Sequence, residues 1–131
     1  MAGGRIDALE YSWTDNTHQE IGFAAMPTPN ELYDQASDLR DQGDKEGAVA
    51  KLEEAIVIDP AFALGHGMLA KLYADLASAE KAIEHAKKVV ELEPDDAFSY
   101  TALSVVYQRC GRIPEAEHAK AMAYQKQMGF D

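Results

Sequence analysis

Histidines, a cysteine and clustered carboxylates are the side chains here with chemistry to offer, and their spacing decides whether they can act together. Histidine stands at His18, His66, His85 and His118. A metal or catalytic site needs a second ligand about a helical turn or a short loop away, and none of the four has a His or Cys at such spacing. The single cysteine, Cys110, has only Arg109 and Arg112 nearby to favour a thiolate, whereas a reactive thiol needs a strongly electropositive setting. Glu53-Glu54 and Asp95-Asp96 are adjacent acids. Neighbours along a helix do not face one another, so these pairs do not converge on one proton. The expectation is no catalytic residue, no metal site and no cofactor, hence no enzyme.

The elements that carry these residues repeat with a period of 34. Leu39, Tyr73 and Tyr107 stand at this spacing, as do Ala36, Ala70 and Ser104, and Ala48, Ala82 and Ala116. Gly43, Ala77 and Gly111 form a further column, Ala55, Val89 and Ala123 another, and Pro60 and Pro94 close the first two units. Small, aromatic and proline positions recurring in this order mark a stacked helix-turn-helix array. Cys110 shares a column with Leu76, which makes it a small core residue.

Composition narrows the class. The chain of 131 residues carries a net charge of -11, which argues against nucleic acid, since phosphate binding rests on cationic contacts. Residues 29–62 alone account for -6, and residues 97–131 reach +1. That asymmetry suits a solvated acidic face, or steering of a basic partner. One cysteine allows no intramolecular disulfide, and no apolar run suits a signal peptide or membrane span. Ala2 rather than glycine follows Met1, which closes N-myristoylation. A soluble, cytoplasmic protein with no membrane partner is expected.

Residues 1–28 lie outside the period. They hold Ile6, Leu9, Tyr11 and the only tryptophan, Trp13. Ile6, Leu9 and Trp13 suit one helical face, while Leu9, Tyr11 and Trp13 suit strand alternation, so an extended or short-helical segment is expected. It is too apolar for an ordinary disordered tail, and something is expected to cover it.

Thr28-Pro29-Asn30-Glu31 reads as a capping box with proline at the first helical position. The first helix should then run to about Gln42, where Gly43 breaks it, and Asp44 should cap a second helix to about Ile58. A second pair is expected over Ala61–Leu76 and Ala79–Leu92 with Ser78 as N-cap, and a third over Asp96–Cys110 and Pro114–Met128, closed by Gly129.

With these columns the sequence resembles the tetratricopeptide repeat family over three units, 29–62, 63–96 and 97–130. The bulky fourth position holds Leu32, His66 and Tyr100, the small eighth Ala36, Ala70 and Ser104, and the twentieth is always alanine. His66 in place of an aromatic, Ala77 in place of a turn glycine and Met128 in place of a third proline depart from the pattern. The resemblance implies an all-α solenoid. The outer columns are polar at both ends: Gln35, Asp38 and Gln42 align with Leu69, Leu72 and Leu76, and Glu117 and Lys120 align with Ile83 and Ala86. Three repeats are therefore expected to form the whole array.

The resemblance also implies protein or peptide binding on a concave surface lined by the first helix of each unit. In this sequence that row is Asn30, Tyr33, Ser37 and Arg40, then Leu64, Gly67, Met68 and Lys71, then Phe98, Thr101, Val105 and Gln108. Its apolar members would equally suit a core, although the glycines at 65 and 67 would let a ligand backbone approach closely. The lysine, asparagine and arginine clamp by which some members hold a C-terminal carboxylate is missing, because its positions hold Tyr33, Ser37, Met68, Phe98 and Ala102. The expected function is a non-enzymatic interaction scaffold that binds a partner segment in the groove. The alternative is an assembly protein that self-associates into homo-oligomers by docking Ile6, Leu9, Tyr11 and Trp13.

Overall fold

The computed structural model describes residues 26–129. Expectations about Ile6, Leu9, Tyr11 and Trp13 lie outside those residues. Six helices follow one another: α1 (Pro29–Asp41), α2 (Lys45–Ile58), α3 (Ala63–Asp75), α4 (Ala79–Leu92), α5 (Ala97–Arg109) and α6 (Ile113–Met128). Among the described residues there is no strand, and no helix is long and apolar enough to cross a membrane.

Each hairpin is closed by the same chemistry one period apart. The amides of Asp44, Ser78 and Arg112 reach back to the carbonyls of Leu39, Tyr73 and Tyr107 at 2.8 Å, and those of Gly43, Ala77 and Gly111 to Arg40, Ala74 and Gln108. This paired pattern satisfies the last carbonyls of a helix and requires a left-handed residue at its pivot. Gly43 and Gly111 meet that requirement at φ 89° and 79°, and Ala77 adopts it at φ 62° despite its Cβ.

The starts of the helices differ more. Thr28 and Glu31 form the reciprocal capping box, with bonds of 3.1 and 2.9 Å. Asp44 accepts from the amide of Gly47 at 2.9 Å, and a Cβ at Gly47 would collide with that same carboxylate. Ser78 occupies the cap position of α4 but makes no side-chain bond there. Helix α3 starts at Ala63, two residues later than expected, because Asp59 turns the chain first. Its carboxylate accepts from the Ala61 amide at 3.1 Å and its carbonyl from that of Phe62 at 3.0 Å, an Asx-type turn that competes with helix. Asp96 is likewise a cap rather than a helical residue.

Packing follows the columns. Ala36, Ala48, Ala55 and Ala82 are fully buried, and Ala70, Ser104 and Ala116 nearly so, which lets paired helices approach closely. Leu69, Leu72, Leu103 and Val106 fill the space between pairs, while the aligned Gln35 and Asp38 of α1 are exposed. Ile83 and Ala86 are buried where Glu117 and Lys120 of α6 are exposed. The first helices of successive pairs also touch, α1 with α3 and α3 with α5. Since each pair is an antiparallel hairpin, α1, α3 and α5 run in the same direction and line one side.

Two stability changes follow. Ala77→Gly should stabilise by roughly 0.5 to 1 kcal/mol, since it removes the Cβ from a left-handed residue. Urea unfolding with an unchanged slope reads this directly, and a destabilised variant would contradict the strain. Ala82→Leu should cost about 1 to 3 kcal/mol by overpacking a contact with no free space, and full stability would contradict the register of the hairpins.

Candidate functional site

The side lined by α1, α3 and α5 carries a groove of about 260 Å³. Seven of the residues expected from the sequence meet there: Tyr33 and Arg40 from α1, Leu64, Gly67, Met68 and Lys71 from α3, and Phe98 from α5. Asn30, Ser37, Thr101, Val105 and Gln108 sit on the same helices but do not line it. The Thr101 hydroxyl donates instead to the Ala97 carbonyl of its own helix, at 3.1 Å. The groove also takes Ala86 and Val89 from α4 and Glu93 at its C-cap. Restricting the lining to first helices misses these, because at the junction of two pairs the preceding second helix closes the floor.

The apolar row divides between the two roles open to it in the sequence. Met68 is core, at 4% exposure, and forms the floor. Leu64 and Phe98 are 57% and 83% exposed, so an aromatic ring stands in water at the edge of the groove. Local structure holds it there. Asp96 accepts from the Phe98 amide at 3.0 Å and from the Ser99 hydroxyl at 3.2 Å, which fixes the first turn of α5. On the opposite wall Tyr33 packs edge-on against Phe62, with ring centres 6.1 Å apart.

Charge is distributed along the groove. Arg40 and Lys71 lie in the later turns of α1 and α3, whereas Glu93 and Asp96 flank the start of α5. With the three helices parallel, one end is cationic, the other anionic, and the middle apolar. The two glycines have different causes. A Cβ at Gly67 would meet nothing within 4 Å, so this residue opens to the groove. A Cβ at Gly65 would stand 2.8 Å from the Phe62 ring and 3.3 Å from Ile56. Internal packing, not a close-approaching ligand, accounts for Gly65.

The sequence reading left His85 without a partner, and the structure corrects this. His66 and His85, on facing helices of one hairpin, approach with Nδ1 to Nδ1 at 2.9 Å. His66 Nε2 lies 2.9 Å from the Pro60 carbonyl, which can only accept, so Nε2 carries the proton. Neutral His66 must then accept at Nδ1, and His85 must donate from its own Nδ1. The bare Nε2 of His85 is left 3.9 Å from the Glu53 carboxylate, which in turn accepts from the Tyr73 hydroxyl at 2.6 Å. His85 also stacks on Tyr73, with ring centres 5.6 Å apart and planes 10° apart. Two columns 19 residues apart meet here, a spacing that local ligand patterns do not cover. Among the described residues no group of three or more His, Cys, Asp or Glu side chains is placed to hold a metal ion.

Burial shifts both titrations. The Tyr73 hydroxyl is pushed up to about 12 by burial, then by its bond to Glu53. His85 is held below the usual histidine value by burial first, against the pull of Glu53 from α2 and Glu84 on its own helix, with His66 and Lys81 adding to the depression. On the surface, the Arg109 guanidinium bonded to Asp75 holds that carboxyl below its usual range, with Lys45 assisting.

The stack of paired helices with a grooved face defines an α-solenoid of helix-turn-helix units. Tetratricopeptide repeat models match residues 65–96 and 85–118, and the fold is an all-α solenoid of the tetratricopeptide repeat type. A crystal structure of MamA superposes with a TM-score of 0.71 at 22% identity, over 78% of this chain and 60% of that one. A second MamA structure gives 0.71 at 23%, over 77% and 55%. The second TPR of Spaghetti (RPAP3), bound to the HSP90 peptide SRMEEVD, gives 0.67 at 18%, over 74% and 90%. The chain thus spans about 60% of the length of MamA, and at these identities the likeness is one of fold.

The depressed His85 value sets a pH dependence. Above the unfolded value of about 6.5 both states are neutral and stability is full. As pH falls through that value the unfolded chain takes up the proton before the folded one, and stability is lost. Chemical unfolding between pH 7.5 and 5.5 should show this decline, and His85→Phe, which keeps a ring on Tyr73, should flatten it. An unchanged slope in the variant would assign the dependence to other groups.

Proposed function

We propose that this chain is a non-enzymatic interaction scaffold whose groove binds a partner polypeptide through apolar anchors. The observation that carries this reading is the exposure of Phe98 and Leu64 beside a buried Met68 floor. A ring left in water at the mouth of a concave site gains on burial, at about 25 cal/mol per Å² of apolar area. The charges at the two ends fit a segment with acidic residues beside Arg40 and Lys71, and basic ones beside Glu93 and Asp96. The fold in RPAP3 carries a bound peptide, which supports a peptide-sized ligand for a groove of this architecture. Tyr33, Ser37, Met68, Phe98 and Ala102 at the clamp positions favour internal anchors over a terminal carboxylate.

Selection of peptides on the immobilised chain tests this. The expected consensus holds two or more bulky apolar residues, and its affinity should fall about tenfold or more in Phe98→Ala, the loss typical of an interface anchor. Because Phe98 is exposed, its replacement should change stability by less than about 0.5 kcal/mol, which separates binding from folding. A consensus ending in acidic residues, or affinity indifferent to Phe98, would overturn the proposal. Repeating the titration on residues 27–131 tests the segment with Ile6, Leu9, Tyr11 and Trp13 as an occupant of its own or a neighbouring groove. Tighter binding, or loss of an oligomer, is the outcome that occupancy requires.

A further inference from the structure

Between the second and third repeats the column of His85 changes to alanine, and the change opens a second cavity. In the second repeat the His85 ring fills the notch between α3 and α4, stacked on Tyr73 and hydrogen-bonded to His66. One period later the same three columns hold Tyr107, Tyr100 and Ala119. The backbone keeps them together, since all three line a single cavity of about 370 Å³ between α5 and α6. Ala119 is 2% exposed, yet its side chain ends at Cβ, so no ring comes from this column to cover the tyrosines, and the ring of His118, one residue earlier on α6, lines the cavity but is itself exposed. Their exposure shows the vacancy: Tyr73 and His66 are buried at 8% and 6%, whereas Tyr107 and Tyr100 are only half-buried.

We propose that this notch is a binding site for a histidine side chain supplied by a partner polypeptide. The ring would lie on Tyr107 as that of His85 lies on Tyr73, with Leu103 beneath it. Tyr100 replaces His66 as the polar contact, and a phenol hydroxyl both donates and accepts, so it meets a neutral imidazole at either nitrogen. The Tyr107 hydroxyl is also less committed than that of Tyr73. Tyr73 donates to Glu53 of the preceding repeat, at 2.6 Å, and the column of Glu53 holds Lys87 one period on, which has no acceptor. Glu115 at the rim offers a carboxylate to the far nitrogen or to the backbone of the incoming residue. The site lies between α5 and α6, with none of the groove residues in its lining, and it stands whether or not the groove binds peptide.

Nuclear magnetic resonance titration of the whole chain with N-acetylhistidine methylamide at pH 8, where the ring is neutral, tests the proposal. Saturable shifts confined to Tyr100, Tyr107, Ala119 and their neighbours are expected, with a millimolar Kd for this minimal probe. Ala119→His supplies the ring in cis and should abolish the shifts. Tyr107→Leu keeps an apolar wall without the stacking face and should weaken binding at least fivefold, which keeps the test intact if the histidine variant fails to fold. The alanine analogue of the probe should not bind. Absence of saturable shifts, equal binding of the alanine analogue, or binding unchanged in Tyr107→Leu would overturn it. Free imidazole binding as tightly as the capped residue would overturn the polypeptide source by pointing to a small aromatic ligand.

Discussion

Close approach of paired helices at small side chains is the constraint on which the remaining features rest. Ala48, Ala82 and Ala116 lie at the same point of each hairpin, buried to within 2%, and with no bulk there the two helices pack close along their length. Every other contact inherits that geometry. The paired amide-to-carbonyl bonds at the hairpin turns fix where each second helix begins. That in turn sets which columns face the neighbouring pair and which face water. A groove arises because first helices share one direction and one side, not because any residue in it has been specially shaped.

Within that regular frame, the two junctions between pairs are chemically unlike. The first is crossed by a polar chain from the Pro60 carbonyl through His66 and His85 towards Glu53 and Tyr73. The second is tied at its surface, where Arg109 and Arg112 of the third repeat bond Asp75 and Glu80 of the second, and Lys126 reaches Asp95 at 3.6 Å. Surface pairs of this kind contribute little singly. A buried polar chain whose members depend on one another is sensitive to the loss of any member.

Much of this was legible in the sequence because repetition turns one observation into three. A lone alanine says nothing, but Ala48, Ala82 and Ala116 at a fixed interval require a close contact. The capping box at Thr28 and the cap at Asp44 were equally plain, since both are made within four residues. Features that depend on two elements meeting were less so. His66 and His85 are joined only once α3 and α4 are folded against each other. Gly65 reads as an opening for a ligand until Phe62 and Ile56 are seen filling the space beside it. The start of α3 was misplaced because the Asp59 side chain competes for amides that a helix would otherwise use. Leu64 and Met68 share a helical face at a spacing of four, so sequence alone does not show that one forms the floor and the other the rim.

The polar chain at the first junction also bears on how interchangeable the three units are. An array built from identical modules could be lengthened or reordered by duplicating any one of them, since every seam would match. Here the second unit fits only a predecessor that presents a carbonyl at Pro60 and a carboxylate at Glu53. Copied behind itself, it would set His66 beside Pro94, which keeps the carbonyl, but would bring His85 and Tyr73 against Lys87, which cannot accept the phenol proton. The order of the units is thus written into a side-chain network, and recombination within the chain would be penalised at that seam although the backbone would allow it.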